Sequence, residues 1–246
     1  MFQAVKIVTP ADLPTDMKRC VDSWLEDFRQ SITHVVPFEF AGEDETVRGF
    51  RSTEAFKEWF GQPPGVPGQP YCDERFYIRE LMWLSKWCNP ETVVEFGTDV
   101  GVGTCLLAWL NPQAVIHTVD IASTVKMPTE IPTVGEVSVA VGHLSKYQAL
   151  KNVRYYQADS RLFRCEGADL CFIDASHLED DVLQDSRRAW KNRNQRRRWI
   201  IIWHDYVYED SMYGLRKAIG DFANEVQHTV YKFADSGTVW MYGEPG

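Results

Sequence analysis

The sequence predicts an α/β fold: a doubly wound, mostly parallel, seven-stranded sheet with a C-terminal antiparallel hairpin and an N-terminal helical extension. Three observations lead there. Between residues 92 and 203, five short apolar runs alternate with helical spacing, and the runs are continuously apolar, as strands buried on both faces must be. Glycines at 97, 101 and 103 separate the first run from the helix after it. Near the C-terminus, Thr229–Ala234 and Thr238–Tyr242 flank Asp235-Ser236-Gly237 as a hairpin closing one edge.

In chain order, helical spacing covers Met17–Phe28 and Ser52–Phe60, and a breaker cluster follows at Gly61–Pro70. Asp73–Trp87 recovers a helix, with Phe76, Ile78, Leu81, Met82, Leu84 and Trp87 among charged residues, and Asn89-Pro90 stops it. Strands follow at Thr92–Phe96, Ala114–Val119, Val153–Gln157, Leu170–Ile173 and Trp199–Trp203, with an apolar helix at Thr104–Leu110. Acids collect at the strand ends: Glu95, Asp120, Asp159, Asp174 and the pair His204-Asp205. In open parallel sheets ligands bind beyond those carboxyl ends. The expected organisation is an aromatic-rich lid or dimerisation extension over residues 1–70 and a main domain over 71–246. Residues Ser123–Lys146 read as a second, substrate-facing loop.

Composition narrows the class. The chain has 246 residues, 44% hydrophobic and 25% charged, with 16 Gly and 12 Pro, which excludes collagen-like and disordered chains. A net charge of -9 argues against a long nucleic acid as partner. The six cysteines form no CxxC pair and no secretory leader precedes them, so the expectation is a cytoplasmic protein with reduced thiols. The longest apolar run, Trp199–Trp203, is strand-sized, and no membrane partner is expected.

The glycine turn lets the backbone turn tightly and a ligand approach it closely. A dinucleotide fingerprint fails, because starting from Gly101 the third glycine position is Leu106. Glu95 would repel a diphosphate but can accept a bond from a ligand ammonium. Glu95-x-Gly97-x-x-x-Gly101-x-Gly103, with Asp120 ending the next strand, resembles the first two motifs of class I S-adenosylmethionine-dependent methyltransferases. The resemblance covers about residues 71–246 and implies a Rossmann-like domain. It implies that the loop (Glu95, Gly97, Thr98, Gly101, Gly103, Thr104) cradles the methionine part of S-adenosylmethionine. Asp120 would take the ribose hydroxyls, and Asp159 and Ser160 would border the adenine, with Asp174 close by.

A second constellation, Asp174-Ala-Ser-His177 with His204-Asp205-Tyr206, resembles the small-molecule O-methyltransferase branch related to catechol-type and macrolide-sugar enzymes. That likeness implies a base at His177 with Asp174 beside it, and a divalent metal, Mg²⁺ or Mn²⁺, on Asp174, His204 and Asp205. A hydroxyl needs a base, a cation, or both to become a nucleophile. His204 stands where metal-using relatives carry Glu. Blander roles stay open: His177 as a helix cap, His204 as a bonded strand-end ring, and Tyr206 and Tyr208 as packing or pocket walls. The arginine-rich run Arg187–Arg198 precedes a strand and reads as a solvated turn. The expectation is therefore a methyltransferase acting on a hydroxyl of a small molecule, in a possible homo-oligomer. The alternatives are an RNA or nucleotide methyltransferase, a nucleotide-dependent oxidoreductase, and a non-catalytic adenosylmethionine-binding partner.

Overall fold

A computed structural model describes residues 5–20, 73–98, 102–121, 152–206, 212–233 and 236–245. The apolar runs form the middle of one sheet. Its strands are β1 (Val5–Val8), β2 (Thr92–Phe96), β3 (Val115–Asp120), β4 (Val153–Gln157), β5 (Leu170–Ile173), β6 (Trp199–Trp203), β7 (Val230–Phe233) and β8 (Val239–Gly243). The spatial order is β1-β7-β8-β6-β5-β2-β3-β4, with β8 antiparallel to both of its neighbours. From β2 the chain steps outward through β3 to β4, then returns to the other side of β2 with β5 and β6. The crevice between β2 and β5 is therefore the point where the order reverses.

Alternating side chains feed two cores, as a period of two requires. On one face Val93, Phe172, Ile200 and Ile202 meet Leu81, Trp83, Leu84 and Trp87 of α1 (Asp73–Cys88) and Leu107 of α2 (Val102–Leu110). On the other, Val94, Ile173, Ile201 and Trp203 meet Val182 and Ala189 of α3 (Glu179–Asn192) and Leu215, Ile219 and Phe222 of α4 (Tyr213–Val226). Every residue of β5 and β6 is buried. The Trp203 indole still finds an acceptor there, donating to Ser186 Oγ at 2.9 Å. Helix α1 stops where Asn89 takes a φ of +48°, just before Pro90, as the Asn-Pro pair predicts.

Among the described residues the sheet has eight strands rather than the seven expected. The extra one is β1, which runs parallel to β7 and takes the edge, so the hairpin β7–β8 does not close the sheet and β8 lies inside it. A four-residue edge strand with Lys6 and Ile7 exposed carries no continuous apolar signal. Residues 15–20 are helical, and Leu13 and Met17 join Val8 in the core beneath α1. The rest of the Met17–Phe28 reading, together with Ser52–Phe60, Gly61–Pro70 and Ser123–Lys146, lies outside the described residues.

The arginine-rich turn sits at the amino edge of the sheet, and much of it is bonded rather than merely solvated. Arg198 reaches Asp16 at 2.7 Å and Glu244 at 3.1 Å, with its guanidinium 4.2 Å over the Trp87 ring. Arg187 pairs with Glu225 at 2.6 Å, and Arg193 lies 3.5 Å over Trp190. Among the described residues no helix is long and apolar enough to cross a membrane.

Candidate functional site at the carboxyl edge

The turn after β2 is built on contact between two backbones. Gly97 has a φ of +94°, and a Cβ there would lie 2.2 Å from the carbonyl oxygen of Asp174, so only glycine fits. Gly97 N–H donates to Val119 O at 2.9 Å and Asp174 N–H to Phe96 O at 2.8 Å, which knits the ends of β2, β3 and β5 together. Thr98 N–H donates to Asp120 Oδ2 at 2.9 Å, and Thr98 and Thr118 share a hydroxyl bond of 2.6 Å. Glu95 is turned into the core, where the Thr104 hydroxyl donates to it and a Cβ on Gly103 would come within 2.6 Å of its Oε1. Burial pushes its carboxyl up to about 8, against the lowering effect of the bonds from Thr104 and Thr118. Glu95 therefore braces the glycine loop from below. Thr118 was not foreseen; a threonine in a buried strand gives no signal of its own beyond needing a partner.

Beyond β5 and β6 lies a cluster of two acids and two histidines. His177 Nε2 is 2.9 Å from Asp205 Oδ2, and His204 Nδ1 is 3.1 Å from Asp174 Oδ1 and 3.3 Å from Asp205 Oδ1. The four residues singled out in the second constellation thus meet at one place. Burial works to lower the His204 pKa, but the bonds to Asp174 and Asp205 override it and raise it to about 10, which favours the charged ring. His177 is also raised, chiefly by its bond to Asp205. Asp205 is held well below the usual carboxylate range: burial would raise it, and the two histidines more than reverse that. Asp205 has a φ of +57°, a left-handed conformation that Asp tolerates better than most residues. His177 does not cap α3. The Leu178 N–H instead donates to Ser176 Oγ at 3.2 Å, and Ser176 donates to Asp181 Oδ2 at 2.9 Å, which shapes the loop between Asp174 and α3.

Asp159 and Ser160 lie at the end of β4, next to Asp120. Asp159 caps the 3-10 turn Ser160–Leu162 and is gripped by Arg161. Ser160 Oγ donates to Asp185 Oδ1 at 2.5 Å, and burial pushes the Asp185 carboxyl up to about 6. Tyr206 is buried, and its N–H donates to Gly237 O at 2.6 Å. Gly101 and Tyr208 lie outside the described residues.

Asp174 and Asp205 of the expected metal set are grouped with His177 rather than with His204: each of the three offers one ligand atom, and these atoms lie within 4.8 Å of one another. Carboxylate and imidazole donors so grouped fit a divalent cation, with imidazole favouring Mn²⁺, Fe²⁺ or Zn²⁺ over Mg²⁺.

No protein-family model matches the chain, and no curated protein matches it in sequence. Solved structures do resemble it. A methyltransferase from Podospora anserina bound to S-adenosylhomocysteine superposes with a TM-score of 0.53 at 12% identity, covering 98% of this chain and 99% of that one. A Klebsiella pneumoniae protein assigned as an O-methyltransferase gives 0.51 at 15% identity over 92% and 99% of the two chains. A Staphylococcus aureus protein assigned as a caffeoyl-CoA O-methyltransferase gives 0.51 at 11% identity over 90% and 98%. The chain therefore has the α/β methyltransferase fold, with a mostly parallel sheet and an antiparallel hairpin.

Proposed function

We propose that this protein is an S-adenosylmethionine-dependent methyltransferase that methylates a hydroxyl group of a small molecule. The observation that carries the reading is the meeting of His177, Asp205, His204 and Asp174 at the crevice where the Gly97 turn touches Asp174. The turn at Gly97 and Thr98 would hold the methionine part of the donor. Asp120, Asp159 and Ser160, at the neighbouring strand ends, would face its ribose and adenine.

In this reading the donor would supply a methyl group to the acceptor oxygen, its sulfur keeping the C–S electron pair as a thioether while the new C–O bond forms. Positioning of the three atoms is the main contribution of the protein. His177 takes the hydroxyl proton. Its Nε2–H faces Asp205, which leaves Nδ1 as the acceptor nitrogen and stabilises the imidazolium that forms. His204, charged and wedged between Asp174 and Asp205, keeps the two carboxylates from repelling one another.

A second reading follows from the three ligand atoms within 4.8 Å: Asp174, His177 and Asp205 hold a divalent cation, which would lower the pKa of the acceptor hydroxyl. An apolar acceptor body fits the rim in either case. Four of the exposed large apolar side chains, Ile121, Leu162, Leu178 and Tyr213, follow the carboxyl ends of β3, β4, β5 and β6. A nucleic-acid acceptor has less support, since Arg187, Arg193, Arg197 and Arg198 are engaged with partners inside the protein.

Calorimetry on ligand-stripped protein tests the first step. Heat on adding S-adenosylmethionine or S-adenosylhomocysteine is expected, and its absence with both would sink the reading. Transfer of labelled methyl to a panel of phenols and alcohols, with and without chelator, then separates the base from the cation. Full turnover in chelator removes the metal, and turnover restored only by Mn²⁺ or Mg²⁺ removes His177 from the role of base.

A further inference from the structure

Lys232 on β7 is 2% exposed, and Glu80 on α1 is fully buried. Charges in such a place persist only where they are bonded. Lys232 Nζ donates to the carbonyl oxygens of Phe233, at 3.1 Å, and Ser236. Ser236 Oγ donates to Glu80 Oε2 at 2.9 Å and accepts the Thr238 N–H at 2.9 Å. Helix α1, strand β7 and the turn between β7 and β8 are thereby tied at one buried point.

What that point holds is the backbone beside the site. Gly237, in the same turn, accepts the Tyr206 N–H at 2.6 Å, and Tyr206 directly follows Asp205. On the other side His204 N–H donates to Ile173 O at 3.1 Å. Between these two anchors Asp205 keeps its left-handed φ of +57°. A residue in that region stays there only when its surroundings over-determine it. One anchor is the central strand β5. The other is a hairpin turn, which would drift unless something fixed it.

We propose that Lys232, Ser236 and Glu80 are positioning residues that fix the β7–β8 turn, and through Gly237 and Tyr206 hold Asp205 so that its carboxylate faces His177 and His204. The inference deepens the methyltransferase reading, on which its functional meaning rests. None of the three side chains is assigned a contact with the reacting atoms. Lys232 acts by filling two carbonyl oxygens in the turn, Glu80 by anchoring the Ser236 hydroxyl to α1.

Long-range ¹H–¹⁵N spectra of the histidine rings in the full chain test the proposal, with Lys232→Met and Ser236→Ala compared with the wild type and with Ile219→Val, a core change outside the network. In both network variants the low-field proton of His204 Nδ1 should broaden or vanish and the His177 ring nitrogens should shift. Ile219→Val should leave them in place, since loss of stability alone does not reach the site. Calorimetry with S-adenosylhomocysteine runs in parallel. Histidine signals unchanged in the network variants overturn the proposal. If Lys232→Met does not fold, Ser236→Ala decides alone by the same criterion. Absence of S-adenosylhomocysteine binding by the wild type overturns the methyltransferase reading instead, and the ring signals still report on the positioning network.

Discussion

Asp169 and Asp174 bracket the same strand, β5, and do opposite things. Asp169, at the amino edge, is 1% exposed and saturated: it accepts from the N–H groups of Glu91 and Thr92 at 2.7 and 3.2 Å and from Asn194 Nδ2 at 2.8 Å, with Arg197 Nε 3.5 Å away. Asp174, at the carboxyl edge, keeps a partly exposed side chain and meets the His204 ring. The amino-edge carboxylate ties three segments together, whereas the carboxyl-edge one faces two histidine rings and a second carboxylate. Residue type does not separate structure from chemistry here; the number of donors already engaged does.

Substitutions can break or sharpen that contrast. The largest effect is expected from His177→Ala, which should lower methyl transfer by about 10²–10⁴-fold, in the usual range for losing a general base, with S-adenosylhomocysteine affinity retained. Loss of both in a turnover assay paired with calorimetry would move His177 into the cofactor site. Next, Asp169→Ala should destabilise the fold by about 1–3 kcal/mol in urea unfolding, because it leaves the partly buried donors of Glu91, Thr92 and Asn194 unmet. Asp174→Asn should shift the same curve by no more than about 1 kcal/mol while turnover falls. Equal shifts from the two would erase the distinction between the edges.

Glu95 gives a third kind of carboxylate, buried and bonded to threonine hydroxyls. Its pKa is raised from 4.5 to about 8, so the folded state keeps a proton that the unfolded chain releases. Its contribution is full below 4.5 and declines as pH rises to about 8, with a slope of about 1.4 kcal/mol per pH unit. Unfolding curves of Glu95→Gln taken between pH 5 and 8 should lack that component. The smallest effect belongs to Arg197→Ala. Its guanidinium is 39% exposed and 3.5 Å from Asp169, which keeps three other donors, so a loss of at most about 1 kcal/mol is expected. A larger loss would make Asp169 a charge-paired group rather than one held by its hydrogen bonds.

Strands buried on both faces announced themselves. β5 and β6 begin and end where their apolar runs do, because neither face of such a strand admits polar residues. The strand-end residues were equally legible: His177, His204, Asp205 and Asp174 converge because chain order along a doubly wound sheet fixes which loops meet. What stayed hidden depends on contacts across the fold. β1 is short and half exposed, so its pairing with β7 leaves no periodic trace. The inward turn of Glu95 follows from the space that Gly103 leaves, and the left-handed backbone of Asp205 from anchors on two other strands. Lys232 and Glu80 read as ordinary surface charges until β7 and α1 are placed side by side.

The seat of β1 has a practical consequence for handling the protein. Clipping the first nine residues would strip β7 of its neighbour and leave a row of backbone amides and carbonyls open along Val230–Phe233. An open ladder of that kind recruits further chains, so shortened versions should self-associate and precipitate on storage well before the carboxyl edge of the sheet is disturbed.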